Sequence, residues 1–88
     1  MIQQIQVKIE IFQEDNLYVA LCPQLNVSSF GETIPEAKQS IQEALSIFFE
    51  ECEAMNTLEI VLEEAGFIKE NNSWQPRQPI STELLAFC

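Results

Sequence analysis

The stretch Asp15-Asn16-Leu17-Tyr18-Val19-Ala20-Leu21-Cys22-Pro23-Gln24-Leu25, followed by Gly31-Glu32-Thr33-Ile34-Pro35-Glu36-Ala37, decides the fold. Asp15 and Asn16, with Glu14 before them, accept tight local conformations and read as a turn. Leu17 to Cys22 is apolar on both faces, which places it centrally in a sheet. Pro23 has no N–H for a ladder and ends that strand. Val27 to Phe30 reads as a short third strand closed by Gly31. Thr33-Ile34-Pro35-Glu36 then has capping-box spacing: the Thr33 hydroxyl accepts from the N–H of Glu36, whose carboxylate reaches back to the N–H of Thr33. Pro35 falls in the first helical turn, where its missing N–H is harmless. The run contains no catalytic group and points to a binding module before an enzyme.

Upstream, Ile5, Val7, Ile9 and Ile11 alternate with Gln6, Lys8 and Glu10. That period of two, β-branched at each apolar position, predicts a half-buried strand and completes a three-stranded antiparallel meander. Downstream, Ala37, Ile41, Ala44, Leu45, Phe48 and Cys52 share one helical face, while Gln39, Gln42, Glu43, Ser46, Glu50 and Glu53 lie mostly elsewhere. This is an amphipathic helix of about five turns laid on the sheet.

A shorter helix is expected over Thr57–Ala65, capped by Asn56 or Thr57, with Leu58, Val61, Leu62 and Ala65 on its apolar side and Gly66 as a left-handed C-terminal cap. Phe67-Ile68 and Trp74 flank Glu70-Asn71-Asn72-Ser73, a small hairpin with an Asn-rich turn. Arg77-Gln78-Pro79 is a brief extended link. Thr82 to Cys88 reads as a closing strand, although Leu84-Leu85 also permits a helix. The expected fold is α+β, in the order βββα-αββ-β: a three-stranded antiparallel meander with a helix on one face, then a short second helix, a hairpin and a closing strand. It forms one domain over residues 1–88.

At 88 residues such a chain buries roughly 60–65 % of its unfolded surface, so oligomerisation is a natural source of added stability. Hydrophobic residues make up 47 %, well above what disorder tolerates. Fourteen acidic side chains face four basic ones, Lys8, Lys38, Lys69 and Arg77, for a net charge of −10. Scattered cations cannot neutralise phosphates, so no direct nucleic-acid binding is expected. An acidic surface favours encounter with a basic protein, and it also serves solubility alone.

Cys22, Cys52 and Cys88 cannot all pair within one chain, and with no histidine and no Cys-x-x-Cys a zinc site is not expected. Cys22 and Cys52 read as small buried hydrophobes. Met1-Ile2-Gln3-Gln4 lacks the pattern of a signal peptide, and no apolar run nears the ~20 residues that span a bilayer. A cytoplasmic protein with reduced thiols and no membrane contact is expected.

The absence of histidine removes imidazole-based general acid–base chemistry and the serine or cysteine triads built on it. Gly31 and Gly66 are isolated, so no phosphate-cradling loop is present. No catalytic residue, metal or cofactor is expected. What remains is a contact surface. Glu36, Glu43 and Glu50 recur every seven residues and form one stripe on the first helix, with Ile47 beside it and Phe49 at the opposite edge of the apolar face. Such a stripe suits a basic partner or a second subunit, and equally an ordinary solvated helix face. Tyr18 and Trp74 are either interface anchors or packing residues.

Tyr18-Val19-Ala20-Leu21-Cys22-Pro23-Gln24-Leu25, then Gly31-Glu32-Thr33, Glu36-Ala37 and the Ile41/Ala44 spacing, resemble the HicB antitoxin family and its short relatives over about residues 5–52. The resemblance implies a partial ribonuclease-H-like sheet without nuclease carboxylates. It also implies self-association, as a homodimer or higher homo-oligomer, and the masking of a small basic RNA-cleaving toxin of the HicA type. Many members end in a DNA-binding segment; here Thr57–Ala65 and the Trp74 hairpin follow instead, with no basic helix, so operator binding is not implied. The alternative is a stand-alone oligomeric structural or adaptor protein of the same fold with no toxin partner.

Overall fold

The structure, a computed structural model, describes residues 4–88; residues 1–3, on which the expectation of no signal peptide partly rests, lie outside them. The described residues are α+β, with two helices and two three-stranded sheets. Strands β1 (Gln4–Ile5), β2 (Glu10–Glu14), β3 (Leu17–Cys22) and β4 (Val27–Gly31) precede helix α1 (Ile34–Ala54). Helix α2 (Leu58–Glu64) and strands β5 (Phe67–Glu70) and β6 (Ser73–Pro76) follow.

The antiparallel meander β2-β3-β4 has β3 at its centre, as its two-sided apolar character requires. The N-terminal strand differs from expectation. Side-chain burial alternates from Gln4 to Ile11, but the ladder divides: β1 pairs in parallel with β6, and only β2 joins the meander. The Gln6 N–H donates to the Trp74 carbonyl at 2.9 Å, so this segment links the two sheets.

Tight connections fall on residues that tolerate positive φ. Asp15, Asn26, Asn56 and Asn71 take φ of 55–57° at the β2–β3, β3–β4, α1–α2 and β5–β6 junctions. Asn and Asp bear this conformation because their short polar side chains bond locally. Gly66, at φ 93°, terminates α2.

Helix α1 begins at the Thr33 cap, where the Glu36 N–H donates to the Thr33 hydroxyl at 3.2 Å. The reciprocal bond is shifted by one residue: Glu36 Oε1 accepts from the Glu32 N–H at 3.2 Å, rather than from Thr33. Gly31 is required here by space, not by backbone conformation. A Cβ on it would lie 2.5 Å from the Ala37 nitrogen, so the close approach of β4 to the first turn of α1 admits only hydrogen. Across the same contact the Ser29 and Ser40 hydroxyls hydrogen-bond.

Ala20, Cys22, Ala37, Ile41 and Leu45 form the core between α1 and the meander. A second core, Leu62, Phe67 and Trp74, sits under α2 and β5-β6. Val7, Leu25 and Phe49 pack against both and make them continuous. Helix α2 is shorter than the expected Thr57–Ala65. Thr57 occupies the cap position, but its hydroxyl donates back to the Cys52 carbonyl at 3.4 Å instead of capping.

The closing strand expected over Thr82–Cys88 does not form, nor does the helix that Leu84-Leu85 permitted. Residues 77–88 are exposed throughout and lie in no helix or strand. A strand needs a neighbouring ladder, and no strand among the described residues pairs with this segment.

Candidate functional site

The outer face of α1 gathers three of the expected contact residues. Glu43 and Glu50 are exposed, and Ile47 lies between them, four residues from one and three from the other, with 57 % of its surface in solvent. Gln39, Gln42, Glu43, Ser46 and Ile47 line a shallow groove of about 520 Å³. Gln42 and Ser46 also border a second groove, about 410 Å³, with Ile5, Val7, Leu45 and Phe49 as apolar lining and Glu50 and Glu53 as acidic members. The two depressions share a wall and form a surface in which exposed Ile47 and half-buried Ile5, Val7 and Phe49 are edged by carboxylates.

The remaining expected contact residues lie apart from this surface. Glu36 is on the same stripe, but two turns away (about 10 Å along the axis), and its carboxylate is engaged by the Glu32 N–H. Tyr18 is half-buried and packs against the first core from the helix-covered side of the sheet. Trp74 is only 3 % exposed, inside the second core, with the Lys69 ammonium 5.7 Å from its ring centroid. Trp74 is thus a packing residue of the second core, while Tyr18 keeps part of its ring in solvent.

A feature of α1 that the heptad reading missed strengthens its acidic character. Glu50, Glu51 and Glu53 crowd its C-terminal end, and no basic residue stands in the last turn. The helix dipole places about half a negative charge at that end, so each carboxylate there is unfavourable by roughly 0.3–1 kcal/mol. The signal was present in the sequence as Glu50-Glu51-Cys52-Glu53 just before the expected helix end. A cation supplied from outside would relieve the strain.

A second surface was also missed. The register places Phe12, Val19 and Phe30 in one row across the three strands of the meander, on the side away from α1. Phe12 is 50 % and Phe30 64 % exposed, and no helix or strand among the described residues packs over the row. Glu14, Asp15, Leu17, Val19, Ser28, Ser29 and Phe30 line a groove of about 500 Å³ there.

Cys22 is the side chain whose acidity is displaced. Burial raises its thiol above the ordinary range, outweighing the opposite pull of the Leu25 and Gln24 backbone N–H groups. Cys22 opens the Cys22-Pro23-Gln24-Leu25 turn with its side chain wholly buried in the first core. A buried, neutral thiol is a poor nucleophile. Among the described residues no group of three or more His, Cys, Asp or Glu side chains is placed to hold a metal ion, and no helix is long and apolar enough to cross a membrane.

No protein-family model, characterised protein or solved structure matches the chain.

Proposed function

We propose that the chain is an antitoxin-like protein-binding module of the HicB type, which acts in the cytoplasm without catalysis by masking a small basic RNA-cleaving toxin. The observation that carries this reading is the outer face of α1, where Glu43, Ile47 and Glu50 border grooves with apolar lining at the uncompensated acidic end of the helix. A basic partner gains electrostatic attraction at the rim and apolar burial at Ile47, and it neutralises carboxylates that the helix dipole disfavours. Glu36 extends the same field toward the N-terminus of α1. The close Gly31–Ala37 approach gives a physical reason for two of the motif residues on which the resemblance rests.

Co-expression with a HicA-type toxin tests this. The two chains are expected to co-purify at low ionic strength, and the complex to weaken as salt rises. Charge reversal at Glu43 and Glu50, both exposed and free of structural bonds to the core, is expected to weaken binding roughly 10–100-fold with the fold intact. Failure to form any complex at low salt would remove the toxin from the reading.

The open Phe12–Val19–Phe30 row favours a second reading, an oligomeric adaptor of the same fold with no toxin partner. The two separate on toxin binding, since both self-associate and only the adaptor ignores a basic toxin.

A further inference from the structure

The chain presents two apolar surfaces that it does not cover, and they match. One is the open sheet face, with Phe12, Val19 and Phe30 in a row and Leu17 beside it. The other is segment 80–88, in which Ile80, Leu84, Leu85 and Phe87 stand almost wholly in solvent. Large exposed apolar patches on a small protein mark interaction sites. We propose that segment 80–88 of one copy lies across the open sheet face of a second copy, reciprocally, forming a two-fold homodimer by exchange of arms.

Three observations select a second copy as the occupant. First, the arm projects from the body: the radius of gyration is 14.9 Å, against about 12 Å expected for a compact chain of this length. Pro76 and Pro79 favour an extended path for the link and disfavour a tight return onto the same molecule. Second, charge allows it. The chain carries −10 overall, but segment 80–88 holds one charged side chain, Glu83, so it is only weakly repelled by a like molecule. The central row it would cover is uncharged, with Glu10 and Glu14 only in the flanking rows.

Third, the area suffices. Four large side chains per arm, together with two phenylalanines, a leucine and a valine per face, remove on the order of 1,000 Å² from each copy, above the ~800 Å² per partner of a standard stable interface. Reciprocal exchange counts each contact twice, as an isologous interface must. This deepens the self-association implied by the family resemblance. It does not rest on the toxin reading, because it concerns the isolated chain and a different face.

Analytical ultracentrifugation of the full chain in reductant, which excludes a Cys88 cross-link, tests the proposal. A dimer is expected, and it tightens as salt rises because screening removes the repulsion between two acidic copies. This is the opposite of the salt response of a complex with a basic toxin. Leu84→Asp with Phe87→Asp, or Phe12→Asp with Phe30→Asp, each weakens association by ~100-fold or more while circular dichroism is unchanged. Mixing these two monomeric variants restores a heterodimer, since the intact arm of one meets the intact face of the other. A monomeric wild type with a shortened radius of gyration, meaning the arm folds onto its own sheet, overturns the proposal. So does a mixture that stays monomeric.

Discussion

Strand β3 presents two faces with opposite fates. Tyr18, Ala20 and Cys22 point under α1, where the last two are wholly buried, while Leu17, Val19 and Leu21 point to the other side, which carries no helix, and stay exposed or half-buried. The uncovered row, Leu17, Val19 and Leu21, is the more apolar of the two, so hydropathy did not decide which became core. The neighbours did: Ala37, Ile41 and Leu45 descend onto the first row, held at close range by the Gly31–Ala37 approach and the Ser29–Ser40 bond. The covered face sets stability, and the open one is free for a partner. Substitutions on the two faces are therefore expected to separate folding from association.

The largest effect is expected on the covered face. Ile41→Ala empties a fully buried position and costs about 2–5 kcal/mol, a large share of the stability of a domain this size. Urea denaturation should place its midpoint far below that of the wild type. A midpoint unchanged by this truncation would mean that α1 does not pack as described.

Next in size is Gly31→Ala, expected to cost about 1–3 kcal/mol as overpacking, because the new Cβ meets backbone that cannot swing aside. Thr33→Ala removes the cap bond beside it at about 1 kcal/mol. Thermal melts of both variants rank the steric against the capping contribution, and the reverse order would show that the cap dominates the β4–α1 junction.

Much of the covered face was legible in the sequence. The alternation from Ile5 to Ile11, the proline stop at Pro23, the Thr33 cap and the Ala37/Ile41/Leu45 face each carry a local signal of their own. Less legible was which ladder each half of the N-terminal segment joins. A period of two assigns side chains to faces but does not choose between strand partners, and β1 pairs with β6 only once the Asn71 turn has set the hairpin. Segment 82–88 reads as a strand because leucine and phenylalanine favour buried, extended positions. That preference cannot supply a ladder neighbour. The site divides the same way. Glu43, Ile47 and Glu50 meet because helical spacing guarantees it, whereas the burial of Trp74 and the shift of the Glu36 carboxylate from the Thr33 to the Glu32 N–H depend on contacts that no spacing encodes.

Cys22 sharpens the comparison through pH. Its thiol is raised by burial in the fold, whereas an unfolded thiol ionises near 8.5. Well below that value both states keep the proton and the residue contributes no pH dependence. As pH rises further the unfolded chain loses its proton first, so stability falls until the folded thiol also ionises. Cys22→Ala is expected to remove that decline. A thiol reagent should find Cys88 fast and the buried Cys22 and Cys52 slowly. Rapid labelling of all three in the native protein would place Cys22 outside the core.

The smallest effect on folding is expected where exposure is greatest. Phe30→Ser on the open face should leave the stability of the monomer within about 0.5 kcal/mol, because the side chain gains little by folding alone. Its consequence appears through mass action. If a second copy covers this face, the wild-type melting temperature rises with protein concentration, since binding to the folded state alone stabilises it. In Phe30→Ser that rise flattens while the dilute limit stays put. A variant that melts lower at every concentration, including the most dilute, would show that Phe30 serves the fold itself. The two faces of β3 would then share one task.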